Sequence, residues 1–109
     1  MTTRMTTHAA LAAVEAADDG IYGTLLQHGS LEIGFYKPSG TDTQQPHEQD
    51  EVYIVQSGYG RFVVGDERHN FEAGEALFVP AGVSHRFEQF SDDFAAWVIF
   101  YGPEGGEQP

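Results

Sequence analysis

The chain has 109 residues, room for one domain with a single modest hydrophobic core. Against 5 Lys and Arg stand 17 Asp and Glu, a formal net charge of −12, which argues against a duplex nucleic-acid binder and against an anionic membrane surface as partner. With no cysteine, disulfides, thiolate zinc sites, iron–sulfur clusters and cysteine nucleophiles are excluded.

Residues 1–7 are polar and predict a frayed start. Residues 8–18 read as one short helix, with Thr6 or Thr7 as N-cap, Gly20 as stop, and Leu11 and Val14 as its expected contacts. Asp18 and Asp19 lie at the unfavourable end of its dipole. Glu15 interrupts the Ala-rich stretch, which is therefore not expected to be a targeting signal, and no run approaches the roughly 20 apolar residues of a spanning helix, so a cytoplasmic protein is expected. After Gly20, short β-branched and aromatic runs cover 21–26, 31–37, 51–56, 60–64, 69–72, 76–79, 85–90 and 95–100, separated by Gly, Pro, Ser and Asp. Many short strands at this spacing predict a sandwich or barrel. The expected organisation is a helix and arm over 1–30, a barrel over 31–101 and a flexible tail, GPEGGEQP, over 102–109. The runs 51–56 and 95–100 are apolar on both faces. One face is expected to meet a second sheet or a second subunit, and a homodimer is the expectation.

In extended chain Gln45, His47 and Glu51 point to one side, and a second histidine, His85, follows the tight turn Pro80-Ala81-Gly82 on another strand. Two imidazoles, a carboxylate and an amide oxygen converging in a barrel make a mixed N/O metal site, suited to Fe, Mn, Co, Ni, Cu or Zn. The remaining histidines, His8, His28 and His69, have no such partners and read as surface. Ser84 beside His85 is no nucleophile pair, because strand neighbours point opposite ways.

These spacings resemble those of small single-domain cupins. Gln45-x-His47, three residues, Glu51, six residues, Gly58 matches the end of the first cupin motif, with Gln in the slot of its leading histidine. Gly74, five residues, Pro80-Ala81-Gly82, two residues, His85, three residues, Gln89 matches the second, with Gln for its closing Asn. Small bacterial cupins often carry Gln-x-Pro-His here, which points to Gln44 in place of Gln45. The resemblance covers about residues 31–101. It implies an all-β, jelly-roll (double-stranded β-helix) barrel with a short N-terminal helix. It also implies one divalent metal held by Gln45, His47, Glu51 and His85, with Gln44 as alternative to Gln45 and Glu51 as the residue with a catalytic role.

Strand parity then assigns the cavity. His85 and Phe87 share a face, as do Glu51 and Tyr53, and Trp97, Ile99 and Tyr101. Either Leu31, Ile33 and Phe35 or Glu32 and Tyr36 face inward with them. Tyr53, Phe87 and Trp97 are the expected substrate-cavity residues, and Arg61 the candidate to bind a substrate carboxylate. Arg86 has the parity opposite to His85 and should point out. The expected partner is a small organic molecule in the cavity. Dioxygenase-type chemistry heads the reactions the resemblance implies; isomerase, lyase or cyclase chemistry, a non-catalytic ligand binder and a barrel that has lost its metal are the alternatives.

Overall fold

The alternating runs form eight strands: β1 (Tyr22–His28), β2 (Leu31–Tyr36), β3 (Asp50–Ser57), β4 (Tyr59–Val64), β5 (Glu67–Glu72), β6 (Ala76–Val79), β7 (His85–Glu88) and β8 (Ala95–Tyr101). The structure, a computed structural model, describes residues 3–42 and 44–109. A five-stranded sheet has the order β1-β2-β8-β3-β6, and a three-stranded sheet the order β5-β4-β7. The strand pairs described are antiparallel. This is the expected all-β, two-sheet jelly roll. Among the described residues, no helix is long and apolar enough to cross a membrane.

Register decides which side chains face the interior. Tyr53 pairs with Val98 and Val55 with Ala96 across β3 and β8, while Phe62 pairs with Phe87 across β4 and β7. These inner residues form the core with Phe71 and Phe94, all nearly inaccessible. Phe87 lies at its centre, with Tyr53 edge-on at 4.9 Å (87° between planes), Phe62 at 5.0 Å and Phe94 at 4.7 Å between ring centroids. Edge-to-face and tilted pairs of this kind add to the area they bury.

The helix α1 (Thr7–Ala16) starts where Thr6 accepts a hydrogen bond from the Ala9 N–H at 3.1 Å. It ends short of the expected residue 18 because Ala17 is extended. Asp19 Oδ1 then turns the chain by accepting the Ile21 and Tyr22 N–H groups, which holds its carboxyl below the ordinary aspartate range. Ala10 and Val14 pack on Phe35 and Ala95. Leu11, expected to pack, is 41% exposed. The close approach needs Gly23 on β1: a Cβ there would stand 2.5 Å from the Ala13 carbonyl carbon.

Strand β7 stops at Glu88, shorter than the expected run to 90. Gln89 takes φ 50, the left-handed region, which breaks the ladder. Asn adopts that region several-fold more readily than most non-Gly residues, which accounts physically for the Asn in the second cupin motif. Gln89→Asn is therefore expected to stabilise the fold by about 0.5–1 kcal/mol, read as a higher denaturation midpoint at unchanged slope. An unchanged or lower midpoint would show that Gln89 is not strained.

The outer face of the five-stranded sheet carries an apolar row across four strands, Ile33–Ile99–Val52–Phe78, with Trp97 and Ile54 in the next row. Phe78 is 52% exposed. At the chain's end the Gly105 N–H donates to the Glu48 carbonyl at 2.7 Å and the Glu107 N–H to Asp50 Oδ2 at 2.8 Å. The segment expected to be a flexible tail thus folds back onto the loop before β3.

Candidate metal centre

The loop before β3 supplies His47, β3 supplies Glu51, and β7 of the other sheet supplies His85 at its first residue. One donor atom from each lies within 4.8 Å of the other two. Glu51 Oε1 is 3.3 Å from His85 Nε2 and 3.8 Å from His47 Nε2. Glu51 and His85 are buried, and neither Glu51 Oε1 nor His85 Nε2 has a hydrogen-bond partner. Apart from this mutual approach the two buried polar atoms have no partner, which is costly unless something bridges them. A divalent ion bound by imidazole nitrogen and carboxylate oxygen is what this donor set fits.

The surroundings hold these atoms in place. His85 Nδ1 lies 3.0 Å from the Val83 carbonyl, so the Nδ1–H tautomer donates there and leaves the Nε2 lone pair aimed inward. The Gly82 N–H donates to the His47 carbonyl at 2.7 Å, which ties the turn before His85 to the loop bearing His47. Asp50 Oδ1 accepts the Ala81 N–H at 2.9 Å; these backbone bonds, that from Glu107 foremost, hold the Asp50 carboxyl below its ordinary range. Burial by itself lowers the His85 pKa. The Glu51 carboxylate and the Val83 carbonyl outweigh it, and the net direction is upward.

Of the two glutamines, Gln44 faces the cluster. Its Oε1 lies 3.3 Å from His47 Nε2 and accepts the Tyr53 hydroxyl at 2.9 Å, while Gln45 is exposed. Gln44 is aimed by a residue that sequence reasoning missed, Asp42. Asp42 Oδ2 accepts Gln44 Nε2 at 2.9 Å, which fixes the amide so that its oxygen points at the site. Asp42 is itself buried and also accepts the Tyr36 hydroxyl at 2.7 Å and the Phe87 N–H at 2.8 Å. An Asp two residues before Gln44 in an irregular loop was the only signal available.

A cavity of about 300 Å³ adjoins the cluster, walled by Tyr22, Tyr36, Tyr53, Val98 and Phe100 beside Gln44, His47 and Glu51. Tyr53 thus lines it, as its parity with Glu51 required. Phe87 sits beneath Tyr53 in the core and does not line it. Trp97 is corrected to the outer face. It pairs with Phe35 and Ile54, one residue out of phase with the inward Val98, and its Nε1–H donates to Gln56 at 3.0 Å. Arg61 is corrected likewise: it pairs with Glu88 and Asn70, out of phase with the inward Phe62, and is absent from the cavity walls. On β2 the inward set is Glu32 and Tyr36, since Glu32 pairs with Phe100. Gly34 between them leaves space for the Tyr22 ring, whose hydroxyl would lie 2.2 Å from a Cβ at that position. Burial, then the neighbouring carboxylates, raises the phenol pKa values of Tyr22, Tyr36 and Tyr53 far above the ordinary range, so all three remain protonated donors.

The sequence profile of the cupin domain family matches residues 33–101, and the chain belongs to that family. It is 42% identical over 96 residues to an uncharacterised protein of Streptomyces coelicolor, an alignment covering 86% of this chain and 91% of the relative. Among solved structures it is similar to a cupin 2 conserved barrel domain protein from Salinispora arenicola, with TM-score 0.66, 20% identity and coverage of 94% of this chain and 89% of that one. A cupin-2 domain containing protein from Shewanella frigidimarina is also similar, with TM-score 0.58, 22% identity and coverage of 72% and 76%.

Proposed function

We propose that the protein binds one divalent transition metal through His47, Glu51 and His85, with the Gln44 amide oxygen beside them, and acts on a small oxygen-bearing organic molecule in the adjoining cavity. The observation that carries this is the buried, unpaired pair Glu51 Oε1 and His85 Nε2, with His47 Nε2 at hand. The chemistry such an ion supplies when bound is Lewis-acid polarisation of a substrate oxygen, with dioxygen chemistry open to it if the ion is iron.

The chain's own residues do the rest. Tyr53 holds its proton and donates it as a hydrogen bond to Gln44, which keeps the amide oxygen oriented. Val98, Phe100 and the tyrosine rings exclude water and so strengthen electrostatic interactions at the site. Glu51 Oε1, buried between the two imidazoles, is the atom placed to hold positive charge there.

Metal content decides the reading. The purified chain is expected to take up about one equivalent of cobalt or zinc. His85→Ala and Glu51→Gln are each expected to weaken binding by about 100-fold or more, and Gln44→Ala by about 10-fold, the scale of losses at ligands and their supports. Gln45→Ala is expected to leave binding unchanged. A chain that takes up no metal, or whose affinity ignores His85 and Glu51, would overturn the proposal. Dioxygen uptake by the iron-loaded chain then separates oxygenase from purely Lewis-acid chemistry.

A further inference from the structure

The charges around the cavity are one-sided. The five basic residues are Arg4, Lys37, Arg61, Arg68 and Arg86, and none lines the cavity or the open groove that shares His47 and Phe100 with it. The groove instead carries Glu32, Glu48 and Glu104. A ligand carboxylate or phosphate would find no guanidinium or ammonium group to meet it at the entrance, which removes the carboxylate-binding role expected of Arg61.

Glu32 is placed to do the reverse. It stands in one cross-strand row with Phe100 and Glu51 on the inward face of the sheet. Its backbone is therefore two strand spacings, roughly 9–10 Å, from that of Glu51. Its two oxygens accept the Tyr22 hydroxyl at 2.6 Å and Gln27 Nε2 at 3.0 Å, both neutral donors. Among the described residues no cation pairs with it. A carboxylate has about four acceptor positions, so Glu32 keeps free acceptor capacity. Beside it lie the electron-rich rings of Tyr22 and Phe100, surfaces that attract a cation electrostatically. Glu32 lines the groove, which shares His47 and Phe100 with the cavity, and its bond to the Tyr22 hydroxyl places it at the cavity wall opposite the buried Glu51 Oε1. The cavity alone, about 300 Å³, has room for about ten waters, enough for the oxygen-bearing part of a small molecule whose amine extends into the groove.

We propose that the cavity and the groove beside it take a small organic cation: a molecule with a protonated amine at Glu32 in the groove, against the Tyr22 and Phe100 rings, and a hydroxyl or carbonyl oxygen in the cavity directed toward Glu51, His47 and His85. The inference rests on the reading of this cavity as the binding site and names its ligand class.

Three probes of similar length test it in a nuclear magnetic resonance titration of the full chain: 4-amino-1-butanol, the neutral 1-pentanol and the anionic 4-hydroxybutanoate. Each is titrated with and without one equivalent of cobalt. The amine is expected to bind at least about 10-fold more tightly than the neutral probe, the scale of a charge-assisted contact. In Glu32→Gln, which keeps an acceptor for Tyr22, that preference is expected to collapse to about 2-fold or less while cobalt affinity stays unchanged. Equal binding of amine and alcohol, tighter binding of the anion to the metal-free chain, or a preference that survives Glu32→Gln would overturn the inference. Should Glu32→Gln fail to fold, the ranking of the three probes on the wild-type chain decides alone. Failure of cobalt to bind would overturn the metal reading and leave the probe ranking on the metal-free chain to judge the cation.

Discussion

Asp42→Ala is expected to destabilise the fold by about 3–4 kcal/mol, as large an effect as opening a cavity in the core. The Asp42 carboxylate accepts from the Tyr36 hydroxyl, the Gln44 N–H and Nε2, and the Phe87 N–H. Tyr36 and Phe87 are buried, so alanine leaves their donors without a partner. Hydrogen bonds to a charged acceptor contribute about 1.5–3 kcal/mol each, and the two Gln44 donors recover part of theirs from water. Asp42→Asn, which keeps one acceptor oxygen, is expected to lose about half as much. Chemical denaturation gives the first readout. The second is metal affinity, expected to fall as in Gln44→Ala because the freed amide no longer points its oxygen at His47. A loss below about 1 kcal/mol, within the range of one ordinary hydrogen bond, would show that Asp42 is not the organiser of this loop.

Zinc at a hundredfold excess over its dissociation constant is expected to stabilise the folded chain by about 2.7 kcal/mol, a rise in Tm of about 10–20 °C for a domain of this size. The pH dependence has a definite sign. Burial works against a charged His85, but the Glu51 carboxylate and the Val83 carbonyl raise its pKa in the metal-free fold above the ordinary histidine value. The imidazolium–carboxylate contact therefore stabilises the metal-free chain fully below about pH 6.5 and is lost as pH rises through the raised value. A metal needs the same nitrogen unprotonated, so its stabilisation grows over that interval. The difference between loaded and metal-free Tm is thus expected to widen from pH 5.5 to pH 8. A difference that stays flat across that range would remove His85 from the ligand set.

The fold was legible because most strands have one clear inward set and glycine or proline between them. The spacing from His47 to Gly58 and from Gly74 to His85 identifies three donor residues from the sequence alone. What the sequence left open has specific causes. Residues 44–49 are irregular, so the two-residue period that assigned Gln45 to the site does not apply there, and the choice of Gln44 depends on the bond its Nε2 donates to Asp42. The segment Ala95-Ala96-Trp97-Val98 is apolar on both faces, so composition cannot say which side Trp97 takes; register with β3 does. Arg61 is one of only five basic residues, yet charge carries no information about phase along a strand. Tyr22 lines the cavity because Gly34, two strands' worth of sequence later in the same hairpin, makes room for its ring, a relation visible only in the pairing.

The place of β8 has a consequence for how the molecule is made. It is the last strand in sequence and yet the middle strand of its sheet, hydrogen-bonded to β2 on one side and β3 on the other. During synthesis β2 and β3 emerge well before the segment that joins them, and neither can complete its ladder until Ala95–Tyr101 is available. Closure over such long sequence separations is slow, and in the interval two apolar strand edges stand open to other chains. Folding on the ribosome thus stays incomplete until β8 emerges, and a chain interrupted shortly before residue 95 would expose the pair of edges that β8 otherwise seals.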